Sequence, residues 1–140
     1  HVILRTRLER PLLSGDLPLL DLPGAWNQGM KDLLGVDVPD DRRGCLQDIH
    51  WYDGAFGYFP TYTLGAMLAA QLAEAAHKAV PEIPQALAKG DFSALMQWLG
   101  NAIHAQGSYL DADGLITQAT GHTLDAAAFK RHLHRRYLEG

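Results

Sequence analysis

Cys45 is the only cysteine in 140 residues, so no disulfide can form within the chain. No signal-peptide pattern opens the sequence either, and a reducing, cytoplasmic setting is the expectation. No apolar run approaches the roughly 20 residues that a bilayer-crossing helix needs, which sets membrane partners aside. Basic residues are in deficit: 12 Lys and Arg against 16 Asp and Glu give a formal net charge of -4, the opposite of a phosphate-binding surface. The one basic run, Lys130 to Arg136, is short and isolated, so nucleic acid is not expected as a partner. Strand-like alternation, internal repeats and low-complexity tracts are missing as well.

What is present reads as helix. Hydrophobic residues make up 47% and charged residues 20%, a globular composition, and the length suits one core. The expectation is a single all-α unit over residues 1–140. The opening stretch HVILRTRLER has helical composition with no capping residue before it, so the chain reads as cut from something longer. A first helix should end near Pro11 or at Ser14 to Asp16. A second should run from about Pro23 to Leu34, capped by Asp21 and stopped by Gly35. A long helix should begin near Pro60, with Leu64, Leu68 and Leu72 as its apolar ladder and Ala69, Ala73 and Ala76 allowing close neighbours. Pro81 and Pro84 should enclose the start of a short helix ending at Gly90. Asp91 should cap a helix carrying Leu95, Leu99 and Ile103 on one face. Two more helices should follow, one reaching Gly121 and one starting near Thr123 or Asp125.

Seven histidines raise the question of a metal. A helical zinc pair needs His at i and i+4, and no HExxH occurs. His132 and His134 lie two apart and point to different sides of a helix, where they read as charge complementing the helix C-terminus. His77, His104 and His122 are single and read as surface or hydrogen-bonded structural histidines. Cys45 has no ligand partner and reads as an inert small side chain. No metal ligand is expected in this chain.

The stretch GCLQDIHWYDGAFGYFPTY, Gly44 to Tyr62, is different in kind. It puts Gln47, Asp48, His50, Trp51, Tyr58 and Tyr62 among glycines that let the backbone approach something closely. It should be ordered and largely non-helical up to Phe59. His50 could donate to an anionic oxygen or move a proton, and Tyr58 and Tyr62 could supply phenolic donors on one face. The other reading is a buried polar knot, with Asp48 holding His50 and the aromatic rings filling core. Residue types alone leave both open.

At this point the sequence resembles the C-terminal portion of the M32 metallocarboxypeptidases, the carboxypeptidase Taq family. The signature GxxQDxHW stands intact as Gly44, Gln47, Asp48, His50 and Trp51. The match continues through Gly54 and the GYFPTYxLG run from Gly57 to Gly65, with LPxAWN at Leu22 to Asn27, GDF at Gly90 to Phe92, and Trp98, Ile103, Gly107 and Ala119 in order. One departure stands out: where the family usually reads RFExE, this chain reads RTRLE at Arg5 to Glu9, with Arg7 in an acidic position. The resemblance implies a mostly helical zinc peptidase, usually a homodimer, that removes single residues from peptide C-termini. Its zinc is held by HExxH and a downstream glutamate in a segment preceding the part that resembles this chain. Zinc is thus implied for the parent and none for this chain, which should be inactive alone. Carried over, His50 and Tyr58 are catalytic candidates as donors to the oxyanion or scissile carbonyl. Gln47 and Tyr62 are candidates for gripping the substrate backbone or its terminal carboxylate, Asp48 for orienting His50, and Trp51 for packing beneath it. The alternative is a non-catalytic helical binding or dimerisation module that keeps the loop.

Overall fold

The computed structural model describes residues 1–139. The chain divides into two compact units, His1–Thr63 and Leu64–Gly140. Among the described residues every regular element is helical: α1 (Val2–Ser14), α2 (Leu22–Leu34), α3 (Ile49–Tyr52), α4 (Pro60–Ala79), α5 (Ile83–Ala88), α6 (Ser93–Ala102), α7 (Ala112–Thr120) and α8 (Ala126–Tyr137), with short 3-10 turns between them. No helix among them is long and apolar enough to cross a membrane.

In the first unit α1 packs on α2, and Leu4, Leu8, Leu22, Trp26 and Cys45 form the buried cluster. α1 runs through Pro11 and stops at Ser14, where Gly15 turns the chain at φ +83°. Of the two ends expected, the glycine therefore prevails. A proline removes one hydrogen bond and strains the preceding turn, but a helix held by tertiary packing can absorb that. α2 also ends at a left-handed glycine, Gly35, whose N–H reaches the Lys31 carbonyl at 2.9 Å. Asp21 stands at its N-cap position but makes no side-chain capping bond, because it is helical itself, closing the 3-10 turn Leu19–Asp21 that leads into α2. Arg7 projects to solvent, so the departure from the family pattern falls on the outer face of α1.

The connection from α2 to α4 is ordered by local caps. Asp40 accepts from the Arg43 backbone N–H at 2.9 Å and from its guanidinium, whose hydrogen bond holds the Asp40 carboxyl below its ordinary range. Gly44 follows, and it must be glycine: a Cβ there would lie 2.8 Å from Val38 Cγ1 and 3.2 Å from the Asp40 carbonyl. From Gly44 to Phe59 the chain is not purely loop, since it holds the 3-10 turn Cys45–Gln47 and the single helical turn α3. α3 exists because Asp48 caps it, accepting the Trp51 N–H at 3.1 Å.

In the second unit, α7 and α8 start on Asp111 and Asp125, whose carboxylates accept from Gly114 and Ala127 N–H at 2.7 and 3.0 Å. Asp91 accepts the Ser93 N–H at 2.9 Å at the start of α6, and this bond depresses its carboxyl. The leucine ladder of α4 does not become its inner face. Leu64 is 48% exposed and Leu68 and Leu72 are partly covered, whereas Gln71 and Ala76 are buried. A spacing of four marks a stripe; which side of a helix finds a partner is decided by what hydrogen-bonds and packs there. Here Gln71 is held by the α7–α8 connection. Its Oε1 accepts from Asp125 N–H at 2.9 Å, and its Nε2 lies 2.8 Å from Thr120 Oγ1 and 3.1 Å from the Thr123 carbonyl. Arg131 of α8 forks onto the Glu74 carboxylate of α4 at 3.1 and 2.6 Å.

Candidate functional site

The chemistry-bearing residues of the 44–62 stretch gather within the first unit, around an open cleft of about 250 Å³ bordered by His1, Arg5, Gln47, His50, Phe59 and Tyr62. His50 is held from several sides. Its Nε2 lies 2.9 Å from the Tyr62 hydroxyl, and its Nδ1 lies 3.5 Å from Asp48 Oδ1. Its ring stacks on Tyr58 at 5.8 Å and rests on buried Phe59 at 4.8 Å. With the Nδ1 proton facing Asp48, Nε2 is free to accept from the tyrosine; a doubly protonated ring donates on both sides. Tyr58 and Tyr62 meet edge to face at 5.4 Å and each is about half exposed, at 47% and 48%. The Tyr58 hydroxyl makes no hydrogen bond among the described residues, so it is a donor left to the solvent side.

Behind these exposed groups sits a buried charged layer. Asp48, 2% exposed, is paired with Arg5 of α1, 6% exposed, through the guanidinium Nε. The Arg5 guanidinium also lies over the Trp26 ring at 4.6 Å and faces Phe59 at 5.5 Å. Glu9, one helical turn further along α1 and 3% exposed, takes the Trp51 indole N–H on Oε1 and the Gly57 backbone N–H on Oε2, both at 3.0 Å. Trp51 in turn packs edge-on against Trp26 and Phe59, at 6.1 and 6.2 Å. An ordered path therefore runs from Arg5 through Asp48 to His50 and Tyr62.

Of the residues singled out from the sequence, His50, Tyr58, Tyr62, Asp48 and Trp51 come together. Gln47 borders the same cleft, but its carboxamide is turned to donate to the Arg42 carbonyl. The stretch is layered: a buried polar knot lies underneath, and the imidazole and phenol groups lie on top. The sequence reading missed Arg5 and Glu9 as members of this site. A signal existed, since they are spaced four apart and each follows a core leucine, Leu4 and Leu8, whereas Arg7 and Arg10 fall on the exposed side. Cys45 is buried beside the site, and burial together with the Asp41 charge pushes its thiol pKa up, away from reactivity. The residues present do not fit a metal centre: among those described, no three His, Cys, Asp or Glu side chains converge.

Comparison with known proteins supplies the context of this geometry. The pattern of the Carboxypeptidase Taq (M32) metallopeptidase family matches residues 1–137. The chain is 41% identical over 138 residues to thermostable carboxypeptidase 1 of Pyrococcus furiosus, covering 99% of this chain and 28% of that protein. It is 38% identical over 137 residues to carboxypeptidase 1 of Bacillus subtilis, with 98% and 27% covered. Its fold superposes on metallocarboxypeptidase 1 of Trypanosoma cruzi with a TM-score of 0.91 and 43% identity, and on the M32 carboxypeptidase of Deinococcus radiodurans R1 with 0.92 and 40%, covering 99% of this chain and 28% of each in both cases. The chain thus spans little more than a quarter of the length of these relatives. By the signature at Gly44 to Trp51, the helical fold that presents it and the match over residues 1–137, the chain belongs to the Carboxypeptidase Taq (M32) metallopeptidase family.

Proposed function

We propose that these residues form one wall of the cleft of a zinc-dependent metallocarboxypeptidase that removes single residues from peptide C-termini. The observation that carries this reading is His50, fixed between Tyr62 and the Asp48–Arg5 pair and stacked on a Tyr58 whose hydroxyl is uncommitted. His50 borders the cleft and Tyr58 stacks against it, and a pair of groups held in this way suits an oxygen that gains negative charge in a transition state. His50 and Tyr58 then act as donors to that oxygen or to the scissile carbonyl, which for His50 requires a protonated Nε2 released from the Tyr62 hydroxyl. Tyr62 and Gln47 hold the substrate backbone or its terminal carboxylate, Asp48 orients His50, and Trp51 supports it from below. Gripping substrate requires the Gln47 carboxamide to leave the Arg42 carbonyl. Zinc, when bound to the parent enzyme, supplies Lewis-acid activation of a water; this chain's residues bind, orient and donate. The same reading takes the chain alone as inactive, the parent as a cytoplasmic homodimer, and neither nucleic acid nor membrane as a partner.

The test is steady-state hydrolysis of a blocked dipeptide by the full-length, zinc-loaded parent and its Tyr58→Phe and His50→Ala variants. Removing a donor used mainly in the transition state should lower kcat on the order of 10²-fold with little change in KM. Near wild-type kcat in both variants removes the donor roles from His50 and Tyr58. A wild-type parent with no peptidase activity leaves instead a non-catalytic module built on the same loop.

A further inference from the structure

Glu9 has a geometry unlike that of the other carboxylates in the first unit. It is 3% exposed and belongs to no ion pair among the described residues, yet both of its oxygens are engaged by N–H donors from one short stretch of chain. Oε1 holds the indole of Trp51, the residue immediately after His50. Oε2 holds the amide of Gly57, the residue immediately before Tyr58. Between those two points the chain reverses through Gly54 and Gly57, at φ +71° and +78°, and is closed by the Ala55 N–H on the His50 carbonyl at 2.8 Å.

We propose that Glu9 is a positioning residue: a two-pronged clamp that fixes the Trp51–Gly57 turn and so sets the spacing and stacking of His50 and Tyr58 at the cleft. The inference rests on the function proposed above for those two side chains. Several features favour a clamp over a general stabiliser. The two bonds act on opposite ends of one turn, and the residues they anchor are the sequence neighbours of the two candidate donors. Inside the turn the bonds are backbone ones, from Asp53 N–H to Ile49, Gly54 N–H to Trp51 and Ala55 N–H to His50, and Asp53 and Tyr52 are exposed, so the two Glu9 bonds are what ties the turn to α1 at both ends. Two left-handed glycines also leave the unclamped turn many alternative conformations. Misplacing a catalytic group by about 1 Å can cost on the order of 10²-fold in rate, so a clamp of this kind acts through geometry without touching substrate.

The discriminating variants are Glu9→Gln and Trp51→Phe, made singly and together in the full-length, zinc-loaded parent. Gln has the same shape but one acceptor for two donors, so one N–H is left facing an NH2 group. Glu9→Gln should lower kcat about 10-fold to 100-fold with KM changed by less than about 3-fold, assayed well below the unfolding temperature of the variant. Trp51→Phe removes the competing indole donor, so in the double variant the carbonyl of the introduced carboxamide can serve the Gly57 amide alone. The double variant should therefore recover at least several-fold in kcat over Glu9→Gln. Amide exchange gives an activity-independent readout: the Gly57 amide should lose protection in Glu9→Gln and regain it in the double variant. Unchanged kcat in Glu9→Gln, with only a lowered unfolding temperature, would overturn the proposal, as would strictly additive losses in the double variant. An inert wild-type parent would sink the peptidase reading instead, and the clamp would then stand or fall on the exchange pattern at Gly57.

Discussion

The two units of the chain bury polar side chains in different ways. In His1–Thr63 the buried polar groups are charged, and Arg5, Glu9 and Asp48 all lie directly behind the loop that carries His50 and Tyr58. In Leu64–Gly140 the buried polar group is a neutral amide, Gln71, bonded to a threonine hydroxyl and to backbone. A buried ion pair is a poor route to stability, because the desolvation of both charges offsets most of their attraction. A neutral amide with its donors and acceptor satisfied costs far less to bury. Charge is thus buried behind the candidate donors, and amide where helices are joined.

The sharpest way to break that comparison is to remove one charge. Arg5→Ala leaves Asp48 buried without its partner, and a broken buried pair costs about 3–5 kcal/mol. Chemical denaturation should show a loss of that size, and amide exchange within residues 1–63 should rise around Asp48 and Trp51. A loss below about 1 kcal/mol would mean that Asp48 is adequately satisfied by the Trp51 amide and His50, and that the pair is not what orders the loop.

Gln71→Leu asks the same question of the second unit and should cost less, about 1–3 kcal/mol. The substitution deletes an acceptor for the Asp125 N–H and a donor for Thr120, but leaves no buried charge. Unfolding measurements on both variants rank the two devices directly. If Gln71→Leu proved as costly as Arg5→Ala, the contrast between charged and neutral burial would lose its energetic basis.

How much of this was legible in the sequence depended on whether the signal was local. Glycine stops at Gly15, Gly35 and Gly121, the proline start at Pro60 and the start of the last helix near Asp125 are read from a few adjacent residues, and helix type and order follow from them. The loop from Gly44 to Tyr62 declared itself by composition, and the structure gathers its polar and aromatic side chains. Arg5 and Glu9 were missed because their partners lie 43 and 42 residues away, at Asp48 and Trp51. The spacing of four after Leu4 and Leu8 marks the covered side of RTRLER, but nothing in it says what will cover those charges until the loop is laid against α1. Gln71 hid for the same reason: among the leucines of α4 it looks like the residue facing water, and only the end of α7, 49 residues on at Thr120, reverses that.

The smallest expected effect lies on the surface, at Glu74 and Arg131. The hydrogen bond from the Arg131 guanidinium, more than the surrounding charge, holds the Glu74 carboxyl below its ordinary value and raises the Arg131 pKa above its own. A carboxylate depressed in the folded state contributes stability that is fully present above its unfolded pKa, about 4.3, and is lost as the pH falls through the folded value. The contribution should therefore be constant from neutral pH down to about pH 5 and fade only in more acidic solution. The Glu74 side chain is 38% exposed and that of Arg131 59%, so solvent screens the pair and its effect should fall well below that of Gln71→Leu. Added salt at ~0.5 M, where screening acts over only a few ångströms, should reduce the effect further. Glu74→Gln keeps the shape of the side chain and part of its acceptor capacity while removing the charge. The check is acid titration of wild type and Glu74→Gln by unfolding at low and high salt: their stabilities should converge below the folded pKa of Glu74 and differ slightly at about pH 7. A difference at neutral pH as large as that produced by Gln71→Leu would show that the surface pair holds α4 as strongly as the buried amide does.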